Sequence, residues 1–319
     1  MNQSTLQNPH DGFFKQTFGR VGFAREFLAQ FLPTDVVHCL DLPSLEPANE
    51  SFVDEALRQT QSDLVFTVPL VGGGGEAVVY LLFEHKSYAD RLTVFQLLKY
   101  VVRINERRLR EGLPLCCVIP LVVYHGPTGW NVARSLDELI DVPLPLARFL
   151  PGFSIELFDL SGYDDEQLRG EAFLHASLLL LKYILRPELP GELARILGLL
   201  AAIQYQEHGL ECIKLLLTYV TQGSDRVDAE TLQSALREGL PHRGDELMPT
   251  LAEQWVRQGE EKGLQKGRQE GTFLGIIQTC RSLLGESAAA DDLAGKSIDE
   301  LRELAERLQR QVQARLARG

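Results

Sequence analysis

Two carboxylates flank a glycine-rich turn in a way that predicts a divalent-metal site. Asp63 begins an apolar run ending at Leu70, Glu84 ends a second run starting at Ala77, and Gly72–Gly75 separate the runs. The midpoint of the four glycines coincides with that of the two acids, so a symmetric hairpin places the acids directly opposite each other. Such a pair repels by about 3 kcal/mol at an effective dielectric of ~20. A cation between them removes this cost, which predicts Mg²⁺ on Asp63 and Glu84, with Mn²⁺ or Ca²⁺ as substitutes.

A lysine adds to this pair. Lys86 lies two residues beyond Glu84 and therefore projects from the same strand face. In that place an ammonium group can orient a water molecule and stabilise charge on a phosphate. The triplet alone is not specific, because Glu260 and Lys262 repeat it in a polar, glycine-rich stretch with no strand and no opposing aspartate. The alternative is a surface hairpin in which Lys86 only offsets the two acids.

The next predicted helix carries a basic stripe. Residues 84–112 contain seven basic and four acidic side chains, in a chain whose net charge is −12. Helical spacing places five polar residues on one face, namely Gln96, Lys99, Arg103, Arg107 and Arg110. The four cations are candidate contacts for a DNA phosphate backbone. The alternative is an ordinary solvated helix face.

Apolar periodicity predicts an α/β core followed by a helical half. Asp11 is the expected cap of the first helix, which extends to Leu32 or divides near Gly19–Gly22, and Val36–Leu42 resembles a strand. Glu26 on this helix is a further, weaker candidate for metal contact. The remaining core elements are predicted as strands Asp63–Leu70, Ala77–Glu84, Leu115–Tyr124 and Ile155–Leu160, with a helix over Leu92–Leu109.

The tail has a glycine repeat. Gly259, Gly263, Gly267, Gly271 and Gly275 recur every four residues. In a helix they form a bare stripe that would allow close approach of another helix and hence a homo-oligomer; a flexible linker is the alternative. Ser297–Leu316 is predicted as an amphipathic helix that begins with a capping box. The expected segments are a core over 1–163, a helical extension over 164–250 and this tail over 251–319.

Composition limits the function. The chain has 319 residues and an acidic isoelectric point of about 5.1, so it has no overall positive field for nucleic acid or anionic lipid. Five cysteines without metal-ligand spacing fit a reducing cytoplasm. The N-terminus lacks the pattern of a signal peptide, and prolines interrupt the longest uncharged stretch, so no membrane association is expected.

An ordered set of motifs resembles one family. The chain is similar to the Rpn recombination-promoting nucleases, also called YhgA-like putative transposases, of the PD-(D/E)xK superfamily. The resemblance covers about residues 8–210. The matching segments are His10–Lys15, Ala24–Leu28, Phe31–Pro33, Ser62–Val65, Phe83–Ser87, Gln96–Tyr100 and Pro120–Gly126.

The resemblance implies a restriction-endonuclease-like α/β fold with a mixed sheet flanked by helices. It also implies a Mg²⁺-dependent DNA endonuclease linked to recombination or transposon-like activity. The family's catalytic positions fall on Asp63, Glu84 and Lys86, with Gln96 as the accompanying helix residue. Many members carry Gln where this chain has Lys86, and lysine is the commoner superfamily choice.

Two functions remain open from the sequence. The first is the metal-dependent endonuclease, whether it serves recombination, transposition, defence or toxicity. The second is a catalytically inactive protein that keeps the nuclease fold as a DNA-binding or oligomeric assembly module. The acidic charge and the long helical half favour this second possibility.

Overall fold

A computed structural model describes residues 9–48, 63–84, 90–126, 128–206, 208–241, 267–284, 293 and 297–316. The chain divides into two compact units, Met1–Met248 and Pro249–Gly319. The first unit holds both the predicted core and the predicted helical extension, and the boundary between them at residue 163 stays a prediction. Among the described residues, no helix is long and apolar enough to cross a lipid bilayer.

A mixed five-stranded sheet forms the centre of the first unit. Its five strands lie side by side in chain order. The first pairs antiparallel with the second and the second antiparallel with the third, whereas the fourth runs parallel to both the third and the fifth. The strands are β1 (Glu46–Pro47), β2 (Asp63–Pro69), β3 (Glu76–Glu84), β4 (Cys117–Tyr124) and β5 (Glu156–Asp159). The mixed sheet with flanking helices and a helical C-terminal part confirms the predicted fold class.

One face of the sheet is covered by α4 (Thr93–Arg110), which makes the crossover between the parallel strands β3 and β4. Val94, Leu97 and Ile104 of this helix pack with Val78 and Tyr80 of β3 in one core cluster. Burial of these apolar side chains, rather than helix propensity, is what holds α4 in place.

A glycine ends α4. Gly112 has φ +76° and donates its N–H to the carbonyl of Leu109, and Leu113 donates to the carbonyl of Arg108 at 2.8 Å. This is the Schellman arrangement, in which a left-handed residue lets the last carbonyls of a helix find donors. It turns the chain back towards β4.

The opposite face is covered by α1 (Pro9–Phe18) and α2 (Val21–Phe31). The chain divides between them at Gly19, which confirms the alternative of two short helices rather than one long helix. Leu64 of β2 lies beside Gly19. Phe27 packs edge-on against Phe158 of β5 at 5.0 Å. Aromatic packing therefore fixes the N-terminal helices on the sheet.

Two local predictions in this region are wrong. Asp11 is not the cap of α1, because the helix already begins at Pro9 and places the buried Asp11 in its first turn. Residues 36–42 do not form a strand. Thr34–Val37 is a short helix, α3, since the N–H of Val37 bonds to the carbonyl of Pro33, and only Leu40 bridges to the sheet, at Leu70.

The described residues after about position 164 in the first unit are mainly helical, as predicted. Tyr219, on a helix of this part, stacks on Phe13 of α1 at 4.1 Å, which attaches the helical part to the core. Gly239 permits two of these helices to approach closely, because a side chain there would overlap Gly198 and Ala194. The helices after α4 are α5 (Leu136–Leu139), α6 (Leu144–Ala147), α7 (Ala172–Tyr183), α8 (Leu189–Leu199), α9 (Gly209–Gly223) and α10 (Ala229–Gly239).

The second unit pairs two helices, α11 (267–284) and α12 (Ile298–Leu316). The predicted capping box at the start of α12 is confirmed. Ser297 receives the N–H of Glu300 on its hydroxyl, and the Glu300 carboxylate accepts the N–H of Ser297 at 2.7 Å. Gly267, Gly271 and Gly275 lie on α11 with open space around them, whereas Gly259 and Gly263 lie outside the described residues.

An ion pair between a buried arginine and a partly exposed glutamate joins α4 to the hairpin. Arg108 is 2% exposed and reaches Glu76, the first residue of β3, at 2.5 Å. Its Nε donates to the carbonyl of Pro114 at 2.8 Å. A single guanidinium group therefore holds the helix end, the loop after it and the hairpin together.

A second ionic cluster orders the helical part. Lys182 on α7 donates to the Asp165 carboxylate at 2.6 Å, and Tyr183 and Arg195 donate to the same group. Desolvation, the largest single influence, raises the pKa of Asp165. The hydrogen bonds from these three side chains together lower it below its ordinary value of 3.8. Burial and the Asp165 carboxylate raise the pKa of Tyr183 to about 12, so its hydroxyl stays a donor.

Substituting Glu76→Ala removes the carboxylate from the buried Arg108. We expect the free energy of unfolding to fall by about 2–3 kcal/mol, because a desolvated guanidinium group loses its charged partner. Urea denaturation measures this loss. Glu111→Ala is the matched control, since Glu111 forms an exposed pair with Arg107 at 2.7 Å, and such a pair contributes less than about 1 kcal/mol. Equal losses in both variants would contradict the assignment.

Substituting Asp165→Asn should lower the free energy of unfolding by about 2 kcal/mol at pH 7, because Lys182 loses its anion. The folded state favours the Asp165 carboxylate, so its contribution is complete above the ordinary pKa and is lost as pH falls through the lower folded-state pKa. The difference between wild type and variant should therefore begin to shrink below about pH 4 in urea unfolding at a series of pH values. Asp141→Asn, at an exposed position, is the control and should leave the free energy of unfolding at pH 7 within about 0.5 kcal/mol of wild type.

Candidate active site

The register of the β2–β3 hairpin decides how the two predicted metal ligands are related. Asp63 is paired with Leu82, not with Glu84. The ladder ends where Pro69 pairs with Glu76, and directly beyond it the carbonyl of Gly75 accepts the N–H of Leu70 at 2.9 Å. The turn is therefore Val71–Gly74 rather than Gly72–Gly75, and the prediction of directly opposed carboxylates is wrong. Moving the centre of a hairpin by one residue moves its cross-strand pairs by two.

The shifted register still leaves positions 63 and 84 on the same face of the sheet. Side chains alternate along a strand, so positions 63, 82 and 84 lie on the face that α4 covers. Position 84 is one step diagonal from position 63, with Cα atoms typically ~7–8 Å apart. At this separation two carboxylates can still share one cation, although they repel each other less than directly opposed carboxylates would.

The predicted ligands are hard oxygen donors of the kind that Mg²⁺ prefers. The side chains of Asp63 and Glu84 lie outside the described part of the structure, as does all of Lys86. Among the side chains that are described, no group of three His, Cys, Asp or Glu residues could hold a metal ion. The metal site therefore stays a prediction, supported by donor chemistry and by the shared face.

Gln96, the predicted helix residue, is held by the carboxylate of Asp90, for which the sequence predicted no structural role. Its Nε2 donates to Asp90 at 3.2 Å. Asp90 also accepts the N–H of Leu92 at 2.8 Å, and its carbonyl accepts the hydroxyl of Thr93. Asp90 thus organises the start of α4 and fixes the Gln96 amide there. The six-residue separation carries no sequence signal that would have revealed this contact.

The four predicted phosphate contacts differ in their availability. Arg107 is paired with Glu111 at 2.7 Å, and Arg110 lies 3.7 Å from Glu106. Lys99 is exposed and Arg103 half-buried, and neither forms an ion pair with another residue within the described ranges. Nearby carboxylates therefore pair with two of the four cations of the stripe.

A buried polar cluster lies at the same sheet edge but beside α1, on the other face. His125 follows β4 directly, and its ring lies 5.1 Å from that of His10. The Nδ1 atom of His10 lies 2.7 Å from the Tyr219 hydroxyl. Burial, and secondarily the Asp11 carboxylate, raise the pKa of Tyr219 well above its ordinary value, so the hydroxyl stays protonated. These residues belong to three distant segments, which is why sequence reasoning did not associate them.

Glu26, the weaker metal candidate, has a structural contact. Its carboxylate accepts the N–H of Glu171, the residue preceding α7. Burial raises the pKa of Glu26, partly opposed by this hydrogen bond. The residue joins α2 to the helical part.

The Tyr124–Gly126 segment closes the sheet edge next to Glu84, because Tyr124 is the parallel partner of Glu84. The Tyr124 ring is buried and packs edge-on against Trp130 at 5.3 Å. A Cβ atom at position 126 would overlap the Tyr124 hydroxyl and ring. Glycine is therefore required there by the close approach of an aromatic side chain.

Comparison with known proteins identifies relatives along most of the chain. Residues 8–211 match the sequence model of a family described as "Putative transposase, YhgA-like". The recombination-promoting nuclease RpnA of Escherichia coli (strain K12) is 29% identical over 91% of this chain and 99% of its own length. RpnD of Escherichia coli O157:H7, also named a recombination-promoting nuclease, is 30% identical over 79% of this chain and 96% of its own.

A third relative carries a different description. The "inactive recombination-promoting nuclease-like protein RpnE" of Escherichia coli (strain K12) is 30% identical over 85% of this chain and 89% of its own length. No solved structure matches the chain.

Substituting Gly126→Ala should lower the free energy of unfolding by about 1–3 kcal/mol, because the new methyl group displaces the buried Tyr124 ring. The same substitution should cost much less in a Tyr124→Leu background, where the overlapping atoms are absent. Urea denaturation of the four proteins gives the coupling energy of this double-mutant cycle. A cost that is the same in both backgrounds would show that the ring does not impose the glycine.

Proposed function

The chain belongs to the YhgA-like putative transposase family, and on that premise we propose that it is a metal-dependent DNA endonuclease acting in recombination. Its relatives named as recombination-promoting nucleases support the nuclease role. The observation that carries the chemistry is the hairpin register, in which Asp63 and Glu84 occupy diagonal positions on one sheet face.

The proposed metal ligands are Asp63 and Glu84. Bound Mg²⁺, with Mn²⁺ as a substitute, would supply positive charge that stabilises a pentacovalent phosphate. Two carboxylates from adjacent strands suit this ion, because it binds few protein oxygens and keeps several waters. The rigid ladder between β2 and β3 would hold both ligands in place before DNA arrives.

Lys86 is proposed to orient the attacking water through its ammonium group. Lys86 lies outside the described residues, and its separation of two residues from Glu84 is the basis for proposing that it projects from the same face. Gln96 is proposed to place the water or a phosphate oxygen, and its hydrogen bond to Asp90 fixes the amide for this role. The lone pair of the water attacks phosphorus while the water loses a proton to bulk solvent, and the P–O3′ bond breaks. The leaving oxygen takes a proton from solvent, which gives a 3′-hydroxyl and a 5′-phosphate.

The DNA backbone is proposed to approach along α4. Lys99 and Arg103 are the cations of the stripe that local acids do not offset within the described residues. Arg107 and Arg110 would have to release Glu111 and Glu106 before contacting phosphates. Binding should therefore depend on a few local cations, in keeping with a net charge of −12.

The second candidate is an inactive protein that keeps the nuclease fold for DNA binding or assembly. A relative of 30% identity is named inactive, so homology does not by itself imply catalysis. For this second candidate, the face of α11 that carries Gly267, Gly271 and Gly275 would contact another copy of the chain. A Gly267→Leu substitution that abolishes self-association, together with calorimetry that detects no divalent-metal binding, would favour this candidate.

The endonuclease proposal is tested by nicking of supercoiled plasmid in Mg²⁺. Asp63→Ala, Glu84→Ala and Lys86→Ala should each reduce the rate by about 10²-fold or more, because each removes a metal ligand or the water-orienting group. Chelation with EDTA should abolish nicking, and Mn²⁺ should restore it. Titration calorimetry with Mn²⁺ should show binding to wild type that is lost in Asp63→Ala.

The chain provides matched controls in its second Glu-x-Lys triplet. Glu260→Ala and Lys262→Ala remove the same side chains from the tail and should leave nicking unchanged. Equal cleavage by wild type and the three site variants would refute the proposal. Loss of nicking with Mn²⁺ binding retained in Asp63→Ala would reject Asp63 as a ligand.

A further inference from the structure

We propose that the exposed face of α4 is a dimer interface, in which two copies of this chain pair their α4 helices antiparallel. This inference does not depend on the nuclease function. It rests on a row of exposed apolar residues and on charges that are complementary only in one register.

Three large apolar side chains follow one another along the outer face of α4. Phe95 is 47% exposed, Val102 47% and Leu109 59%. They are spaced by seven residues, which in a helix is almost two full turns, so they form one nearly straight line. Leu92 precedes them and Leu113 follows, and both are also exposed. A continuous apolar line of this length marks an interaction surface rather than scattered surface residues.

Among the described residues, the core cluster under α4 does not include this line. The residues by which α4 packs on the sheet, such as Leu97 and Ile104, lie on the opposite side of the helix. The α4 helix is therefore apolar on two faces, and its own sheet buries only one of them. Seven-residue spacing returns Phe95, Val102 and Leu109 to almost the same side of the helix every two turns, so a second helix packed along α4 would contact all three.

The charged residues beside this line identify a second copy as the partner. Lys99 and Glu106 lie on the same flank of the line, also seven residues apart. When two α4 helices pair antiparallel about Val102, Phe95 faces the partner's Leu109 and Lys99 faces the partner's Glu106. Twofold symmetry repeats both contacts, so the face is self-complementary, as an isologous dimer requires.

Parallel pairing would not give this match. A parallel twofold axis puts the flank that carries Lys99 and Glu106 on opposite sides of the two helices, so neither side chain would reach its counterpart of opposite charge. In the antiparallel register, Leu92 at the start of one helix also comes opposite the partner's Leu113. The Glu106 side chain is 57% exposed despite its contact with Arg110, so it can accept a further cation.

Pairing of the α4 helices would change which cations of the basic stripe are available to DNA. Lys99 would neutralise the partner's Glu106 rather than a phosphate, which leaves Arg103 as the nearest cation for DNA. The test therefore uses molecular mass as its readout, not cleavage, so a failed dimer and a failed nuclease proposal are distinguished.

Sedimentation equilibrium of the full chain at tens of micromolar should give twice the monomer mass of 35.7 kDa. Val102→Asp should give the monomer mass, because it brings two carboxylates together on the twofold axis. Its circular dichroism should match wild type, since Val102 lies outside the core, and its melting temperature should no longer depend on protein concentration. Leu144→Asp is the matched control, because Leu144 is 88% exposed but far from α4 in sequence, and it should remain dimeric.

Charge exchange tests the register. Lys99→Glu and Glu106→Lys should each weaken the dimer by about tenfold or more in dissociation constant, and the double variant should regain most of the wild-type affinity. A monomeric wild type, or a dimer that survives Val102→Asp, would overturn the proposal. So would a dimer that Gly267→Leu alone abolishes, since it would then depend on α11. If both single exchanges weaken the dimer and the double variant fails to restore it, the antiparallel register is wrong.

Discussion

The register of the β2–β3 hairpin is the constraint on which the candidate site depends. It is fixed where Leu70 donates to the carbonyl of Gly75, with Gly72 and Gly73 at positive φ in the turn between them. Every later pair along the two strands follows from this closure, including the position of Asp63 opposite Leu82. Glycine is needed because only it adopts left-handed φ at consecutive positions without strain.

The hairpin is anchored at both ends by contacts from elsewhere in the chain. Near the turn, Arg108 of α4 binds Glu76 and the carbonyl of Pro114. At the far end, β3 continues in parallel register with β4 as far as Tyr124. The α4 helix is consequently more than a cover for the sheet. It positions Gln96 through Asp90, and its outer face carries both the basic stripe and the exposed apolar line.

The helical part of the first unit supports the sheet from the other side. Tyr219 stacks on Phe13 and reaches His10, whose ring is close to that of His125 at the end of β4. The cluster lies on the face opposite to positions 63 and 84. The Tyr219 hydroxyl is desolvated and stays protonated, and its contact with His10 connects α9 and α1 to the sheet edge. The Asp165 cluster then fixes α7 and α8 relative to the segment after β5.

Local sequence patterns determined the strands, the main helices, the α/β class and the capping box at Ser297, because periodicity and capping depend on neighbouring residues alone. They also placed Asp63 and Glu84 on one hairpin, and the family resemblance was confirmed by the relatives. Tertiary structure alone decided the diagonal register, the pairing of Gln96 with Asp90 and the meeting of His10, His125 and Tyr219. The hydrogen bond from Leu70 to Gly75 closes the hairpin, so the turn is not centred on the four glycines. Contacts between distant segments arise only when the helices pack on the sheet, and spacing along the chain does not encode them.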